Sequence, residues 1–201
     1  MQSIAAIAEA WLTQRRDGVV ARVVAAAGLG PRPAADVLLV DRNGRTGGSL
    51  LAGAVQPEVV AAAGELLSSG NLARRLSLVV DSVDAAAAGL TCGGRVEILV
   101  QRLDAIPRRL WDALAAGRPA ALVTALDGAA APVVVEPGGR LTGTLGESAL
   151  DTLAQSEAEA ALAHPGTSVT TVALGPRPLL VEAWNPVPHL VVVGASDSPR
   201  R

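Results

Sequence analysis

The segment most informative about the fold is residues 37–50, Val37-Leu38-Leu39-Val40-Asp41-Arg42-Asn43-Gly44-Arg45-Thr46-Gly47-Gly48-Ser49-Leu50. An apolar run typical of a strand precedes Asn43-Gly44, a dipeptide that strongly favours a tight β-hairpin turn. Gly47-Gly48 then permits a bend before Leu50. The segment therefore predicts a strand and a hairpin.

The same pattern returns in the second half of the chain at a constant offset of 95 residues, since Gly44 aligns with Gly139 and Gly48 with Gly143. A helix is predicted after each copy, from Pro57 to the residues before Gly70 and over residues 148–163. In a chain rich in Ala, Val and Gly, two hairpins also resemble each other by chance. If the repeat is real, it predicts two related lobes.

The remaining elements fit the same interpretation. Ile4, Ile7, Trp11 and Leu12 recur at helical spacing behind Ser3 as a candidate N-cap. Strands are predicted at residues 19–26, 76–80, 96–103 and 119–126. We therefore predict an α/β fold of mixed sheets with helices. It forms a single compact domain of two related strand-hairpin-helix lobes, with possible repeat units at 18–103 and 119–174.

Composition excludes several function classes. The chain has 201 residues, of which 50% are hydrophobic and 18% charged, enough apolar mass for a core. All 17 basic residues are Arg, so a Schiff-base lysine and a P-loop lysine are excluded. With no Phe or Tyr and a net charge of −2, we expect no nucleic-acid partner.

The cysteine content bears on the compartment. A single cysteine forms no internal disulfide, which suits a reducing environment. No apolar stretch approaches the roughly 20 residues of a membrane span, and the first residues lack a secretory pattern. A cytoplasmic protein without a membrane span is expected.

The only cysteine lies in the stretch Gly89-Leu90-Thr91-Cys92-Gly93-Gly94-Arg95-Val96-Glu97-Ile98-Leu99-Val100. Two consecutive glycines allow successive amide groups to form an anion-binding nest, beside which a thiol is a candidate reactive group. The alternative is a Gly-Gly turn that opens a strand, with Cys92 as a small buried hydrophobe. The spacing leaves both interpretations open.

This stretch resembles the signature of the xanthine dehydrogenase accessory factor (XdhC/CoxI) family. A second match is Gly30-Pro31-Arg32-Pro33-Ala34-Ala35 with the strand and Gly44-containing hairpin that follow. Together the matches cover most of residues 18–145. The segment 187–195 resembles the linker and first strand of the Rossmann-type domain that follows in longer members of the family.

The resemblance implies an N-terminal domain over residues 1–185, with residues 186–201 as the linker and first strand of a truncated Rossmann-type domain. Seven residues follow Gly194, so no NAD site is expected in this chain. The implied function is to bind and protect the molybdenum cofactor (molybdopterin) and deliver it to a molybdenum hydroxylase, such as xanthine or carbon monoxide dehydrogenase. The implied partners are the apo-enzyme, a cysteine desulfurase and a second copy in a homodimer.

The cofactor-binding residues implied by the resemblance are Cys92 as the thiol, Gly93 and Gly94 as the amide nest, Arg95 as a phosphate contact, and Arg32 and Gly48. A chaperone of this kind needs no turnover of its own, so no catalytic residue is assigned. One Cys and two His give no local zinc-ligand pattern, and no metal ligand is assigned.

One element departs from the family. Many members have a Gly-Gly-Cys-x-Glu-like element, which aligns with Ala52-Gly53-Ala54-Val55-Gln56 and here has lost its Cys and Glu. Two other functions remain as alternatives to the carrier function. In the first, the chain is a cofactor-maturation enzyme in which Cys92 carries sulfur as a persulfide. In the second, the chain is a degenerate interaction scaffold that binds no cofactor.

Overall fold

Two five-stranded sheets form the frame of the molecule in the computed structural model, which describes residues 1–30 and 36–186. Every strand pairing in these residues is antiparallel. The first sheet has the order β3-β2-β1-β5-β4 and the second β8-β7-β6-β10-β9. The second order is the first with each strand number increased by five, so the two sheets share one topology. The predicted α/β fold with two related lobes is confirmed.

The first lobe contains three helices and five strands. They are α1 (Gln2–Thr13), β1 (Gly18–Gly28), β2 (Val37–Asp41), β3 (Thr46–Ser49), α2 (Gln56–Ser69), β4 (Ala73–Val80), α3 (Ser82–Ala87) and β5 (Gly94–Arg102). The predicted Asn43-Gly44 hairpin joins β2 to β3. Gly47-Gly48 lies within β3 rather than in a bend, and α1 begins one residue before Ser3, with Met1 as its N-cap.

The second lobe has two helices and five strands. They are α4 (Arg108–Ala115), β6 (Ala120–Ala125), β7 (Val133–Glu136), β8 (Arg140–Thr142), α5 (Ser148–Leu162), β9 (Gly166–Leu174) and β10 (Arg177–Asn185). The second lobe continues past residue 174, because β10 completes its sheet as β5 does in the first lobe. The linker and strand predicted after Pro186 lie outside the described residues.

The layers follow from the alternation of side chains along the strands. Val19 and Ala21 of β1 face outward and pack beneath α2, while Val20 between them faces inward toward α1 and α4. In the second lobe the outer face of the sheet packs against α5. The order of layers is thus α2, first sheet, α1 with α4, second sheet, α5.

A repeated ion pair supports the relation between the lobes. Nη1 of Arg16, just after α1, lies 3.0 Å from Oδ2 of Asp41 at the end of β2. At the corresponding place Nη1 of Arg118 lies 3.5 Å from Oε1 of Glu136 at the end of β7. Both acidic residues are buried. The lobes thus share a side-chain interaction as well as a strand order.

Candidate functional site: the cleft between the lobes

The inner faces of the two sheets carry four buried polar side chains among apolar ones. They are Arg22 on β1, Gln101 on β5, Thr124 on β6 and Glu182 on β10. Arg22 and Glu182 are each only 2% exposed. Charged residues are seldom buried to this degree unless they are paired, so their partners need to be identified.

Arg22 reaches both lobes. Its Nη2 donates to Oε1 of Gln101 at 2.5 Å within the first lobe. Its Nη1 lies 3.0 Å from Oε2 of Glu182 in the second lobe. The two atoms are close enough for an ion pair but do not meet hydrogen-bond geometry, so Arg22 Nε and Nη1 and Glu182 Oε2 have no hydrogen-bond partner within residues 1–30 and 36–186. The pair therefore keeps unused donors and an unused acceptor.

Arg22 and Glu182 line a cleft of about 300 Å³ between the lobes. β1 forms one wall with residues 22–26, where a β-bulge at Val24 shifts the register against β5. Asp36, Val37, Val169, Glu182 and Trp184 complete the lining. The indole Nε1 of Trp184 is a further buried donor without a partner in the part of the chain that the structure describes.

Burial perturbs both charged groups of the cleft. Removal from water lowers the pKa of Arg22, and the nearby Glu182 carboxylate offsets part of that effect. Burial likewise raises the pKa of Glu182, against the attraction of Arg22. Because the desolvation of a buried ion pair often outweighs its attraction, stability alone is a weak reason for this pair. Perturbed groups in a cleft mark a candidate functional site.

The two lobes differ at this point although they otherwise correspond. When the sheets are aligned through their matching hairpins, Arg22 falls on Thr124 and Gln101 falls on Glu182. Each lobe thus contributes one charged residue where the other has an uncharged one. The charged pair is a specialised feature of the cleft and not a by-product of the repeat.

The sequence-predicted loop around Cys92 lies at the end of the first sheet. Cys92 is exposed, which excludes the alternative of a buried hydrophobe. Gly94 belongs to β5 and is paired with Gly28 of β1 and Val80 of β4. A Cβ on Gly93 would lie 2.6 Å from the Val80 carbonyl oxygen, and one on Gly94 would collide with that of Ala27. Close strand packing accounts for both glycines, and their role toward a ligand stays a prediction.

The other predicted site residues are spread over the lobe. Arg95 is exposed beside the glycine pair, but Gly48 lies on β3 opposite Leu38, whose own partner in β1 is Ala21. Gly28, the partner of Gly94, is seven residues further along β1, so Gly48 is about 20 Å from that end of the sheet. Gly48 is thus not brought together with Cys92. Arg32 lies outside the described residues.

The cleft and the Cys92 loop are connected by β1. Residues 22–26 line the cleft, and Gly28 pairs with Gly94. Two residues of extended chain span about 7 Å, so the near end of the cleft wall lies about that far along β1 from the glycine pair.

The element that departs from the family adopts an unusual backbone. Leu51 and Ala52 have φ values of 48° and 52°, in the left-handed region that glycine adopts without strain. The following Gly53, with φ of 97°, lies in open space. This turn borders a shallow depression of about 410 Å³ together with Glu58 and α3.

Sequence reasoning missed Arg22 and Glu182. The available signal was a single charge inside an otherwise apolar strand, as in residues 18–28 and 179–184. A single charged residue in such a strand is ordinarily predicted to face solvent. Here the charged residue is buried only because the other lobe docks on it, and the sequence of one strand does not indicate that docking.

No group of three or more His, Cys, Asp or Glu side chains suited to a metal ion occurs in residues 1–30 and 36–186. None of the helices in these residues has the length and apolar character needed to cross a membrane.

The fold and its cleft define a two-lobed α/β protein built on a structural repeat. Residues 11–78 match the model of the XdhC and CoxI family, which confirms the resemblance to that family for the first lobe. No curated protein matches the chain.

Solved structures with a similar fold include that of a xanthine dehydrogenase from Bacillus halodurans, which is 18% identical and has a TM-score of 0.57. The match covers 73% of this chain and 46% of that one, so this chain spans about half the length of its structural relative. At this identity the likeness shows a shared fold.

Proposed function

We propose that the chain is an accessory protein that binds the molybdenum cofactor, shields it from water and oxygen, and passes it to a molybdenum hydroxylase such as xanthine or carbon monoxide dehydrogenase. The observation that carries this proposal is the family match over residues 11–78. The partners would be the cofactor-free hydroxylase and a cysteine desulfurase, and the protein would act in the cytoplasm, with a homodimer as its assembly.

The chemistry of the cargo fits groups that the chain offers. The cofactor presents a phosphate, a pterin edge and an oxidisable dithiolene. Arg95 is an exposed guanidinium suited to the phosphate, and the exposed Cys92 lies three residues before it. The cleft offers partly enclosed polar groups, with buried donors on Arg22 and Trp184. A carrier needs such groups to bind its cargo and no turnover of its own.

Delivery is tested by reconstitution. A cofactor-free hydroxylase is mixed in air with molybdenum cofactor, with and without this chain, and the recovered hydroxylase activity is measured. The wild-type chain should raise the recovered activity, because bound cofactor is shielded until transfer. Cys92→Ser should lose most of this effect, and the neighbouring exposed variant Thr91→Ser should keep it. Equal recovery with and without the wild-type chain would refute delivery.

A second candidate function is favoured by the exposure of Cys92. In this alternative the Cys92 thiolate attacks the outer sulfur of a desulfurase persulfide, the S–S bond of the donor breaks, and its cysteine leaves as thiolate. The chain then carries the sulfur as a persulfide. Intact-mass measurement after incubation with a desulfurase and cysteine should show one added sulfur atom that dithiothreitol removes and that Cys92→Ser lacks. No added mass on the wild type would exclude this function.

A further inference from the structure

We propose that the cleft between the lobes binds a neutral heterocycle by its lactam edge, with Arg22 donating to the ring carbonyl and Glu182 accepting from the adjacent ring N–H. Nothing in the resemblance to the family assigns these two residues. The inference starts from their burial and their unused hydrogen-bonding atoms.

The first argument is the state of the buried pair. Buried polar atoms in folded proteins are nearly always hydrogen-bonded, and those that are not call for an explanation. Arg22 Nε and Nη1 and Glu182 Oε2 are buried and have no hydrogen-bond partner in the described part of the chain, and both residues line the cleft. A ligand in the cleft that presents an acceptor next to a donor would satisfy both residues at once.

The second argument is charge. The guanidinium and the carboxylate are 3.0 Å apart and cancel. A phosphate or carboxylate bound here would meet Glu182, while a cation would meet Arg22. A neutral ligand meets neither repulsion. The pair therefore selects for a neutral group with paired hydrogen-bond functions.

The third argument is the shape and lining of the cleft. A volume of about 300 Å³ is at the small end of ligand sites, and it suits one or two fused rings. Val37 and Val169 supply apolar surface, and Trp184 adds indole surface and an unpartnered Nε1 donor. A flat heterocycle with a lactam edge uses both the apolar surface and the polar groups.

The fourth argument is the difference between the lobes. The ion pair Arg16–Asp41 has its counterpart in Arg118–Glu136, as expected where a repeat serves only the fold. At the centre of the inner faces the correspondence is lost, because Thr124 stands opposite Arg22 in the alignment. This single charged pair is consistent with one asymmetric ligand.

Pterin is the probe for the test. The choice of this probe rests on the proposed function, whereas the site itself is inferred from the structure. The full chain is titrated with pterin by isothermal calorimetry, alongside 3-methylpterin, in which the ring N–H donor is blocked. We expect pterin to bind and 3-methylpterin to bind at least about tenfold more weakly, the effect of losing one good hydrogen bond.

Two variants locate the site without replacing either residue of the buried pair. Val169→Phe on β9 fills the cleft from its half-buried side and should weaken pterin binding by about tenfold or more. Thr171→Phe carries the same ring on the same strand at an exposed position outside the lining and should bind like the wild type. The urea unfolding midpoint of each variant checks that it is folded.

Three results would overturn the inference: no pterin binding to the wild type at about 1 mM, equal binding of the two pterins, or full binding by Val169→Phe. A failure of this inference is distinguishable from a failure of the proposed function. If the chain carries the complete cofactor but binds no pterin in the cleft, only this inference is overturned. Pterin binding in the cleft without carriage overturns only the proposed function.

Discussion

Arg22 and Glu182 hold opposite charges between two apolar sheet faces, and each depends on the other for its burial. Arg22→Met should therefore lower the free energy of unfolding by about 3–5 kcal/mol, because it leaves a buried carboxyl without its partner. The double variant Arg22→Met with Glu182→Leu should lie close to the wild type, since apolar residues replace the whole pair. Urea unfolding measures both. A double variant less stable than the single one would contradict this account.

The same pair predicts a pH dependence. Burial raises the pKa of Glu182 above its ordinary value of 4.5, and the charge that acts on its carboxyl group is that of Arg22. A carboxyl group with a raised pKa favours the folded state while protonated, and this stability is lost as the pH rises through the folded pKa. Removing Arg22 raises that pKa further. The stability difference between Arg22→Met and the wild type should thus shrink as the pH is lowered from about 8 to about 5. A difference that grows toward low pH would contradict the assignment.

Ala52 is strained by its left-handed backbone, with φ of 52°. Ala52→Gly should stabilise the fold by about 0.5–1 kcal/mol, because relief of the strain exceeds the added flexibility of the unfolded chain. Ala61→Gly on the exposed side of α2 is the matched control and should destabilise by about 1 kcal/mol. Thermal unfolding at equal protein concentration compares them. Destabilisation by Ala52→Gly would show that this backbone is not strained.

At the scale of elements, the junction of β1, β4 and β5 explains the glycine pair after Cys92. Gly94→Ala should lower the free energy of unfolding by about 1–3 kcal/mol, since its Cβ would meet the backbone of Ala27 and Gly28. Gly64→Ala, within α2 and in open space, should raise it by about 1 kcal/mol. Denaturant unfolding of both variants decides this point. A Gly94→Ala protein as stable as the wild type would remove the packing explanation and favour the amide nest.

Elements whose signals are local were predicted from the sequence. The Asn43-Gly44 turn fixes the β2–β3 hairpin, and Pro57 and Gly70 bracket α2, because turn and cap preferences act within a few residues. The β9–β10 hairpin and α4 were not predicted, although each completes its lobe. Their positions follow from the repeat of the whole first lobe, which becomes visible once β10 is seen beside β6 as β5 is beside β1.

The candidate site was predicted only in part. The exposed Cys92 and Arg95 lie together, as their spacing required, but Gly48 is on a distant strand. Arg22 and Glu182 come from opposite lobes, so they meet only when the two sheets dock. The sequence pattern of either strand alone does not predict which of its residues will face the other lobe.

At the scale of the whole molecule, the repeat produces two docked sheets with a cleft of about 300 Å³ between them. Each lobe buries its outer sheet face beneath its own helix, while α1 and α4 fill the space between the sheets. A ligand at the junction contacts both lobes at once. Ligand binding should therefore stabilise the molecule as a unit and raise its unfolding temperature.

The most direct test of the carrier function is binding of the intact cofactor. The full chain is mixed anaerobically with molybdenum cofactor and separated by gel filtration, and the co-eluting pterin is quantified by its fluorescence after oxidation. If the chain is a carrier, we expect about one pterin per chain. We also expect much less on Cys92→Ser and unchanged binding on Thr91→Ser. A wild-type chain that elutes without pterin would contradict the account.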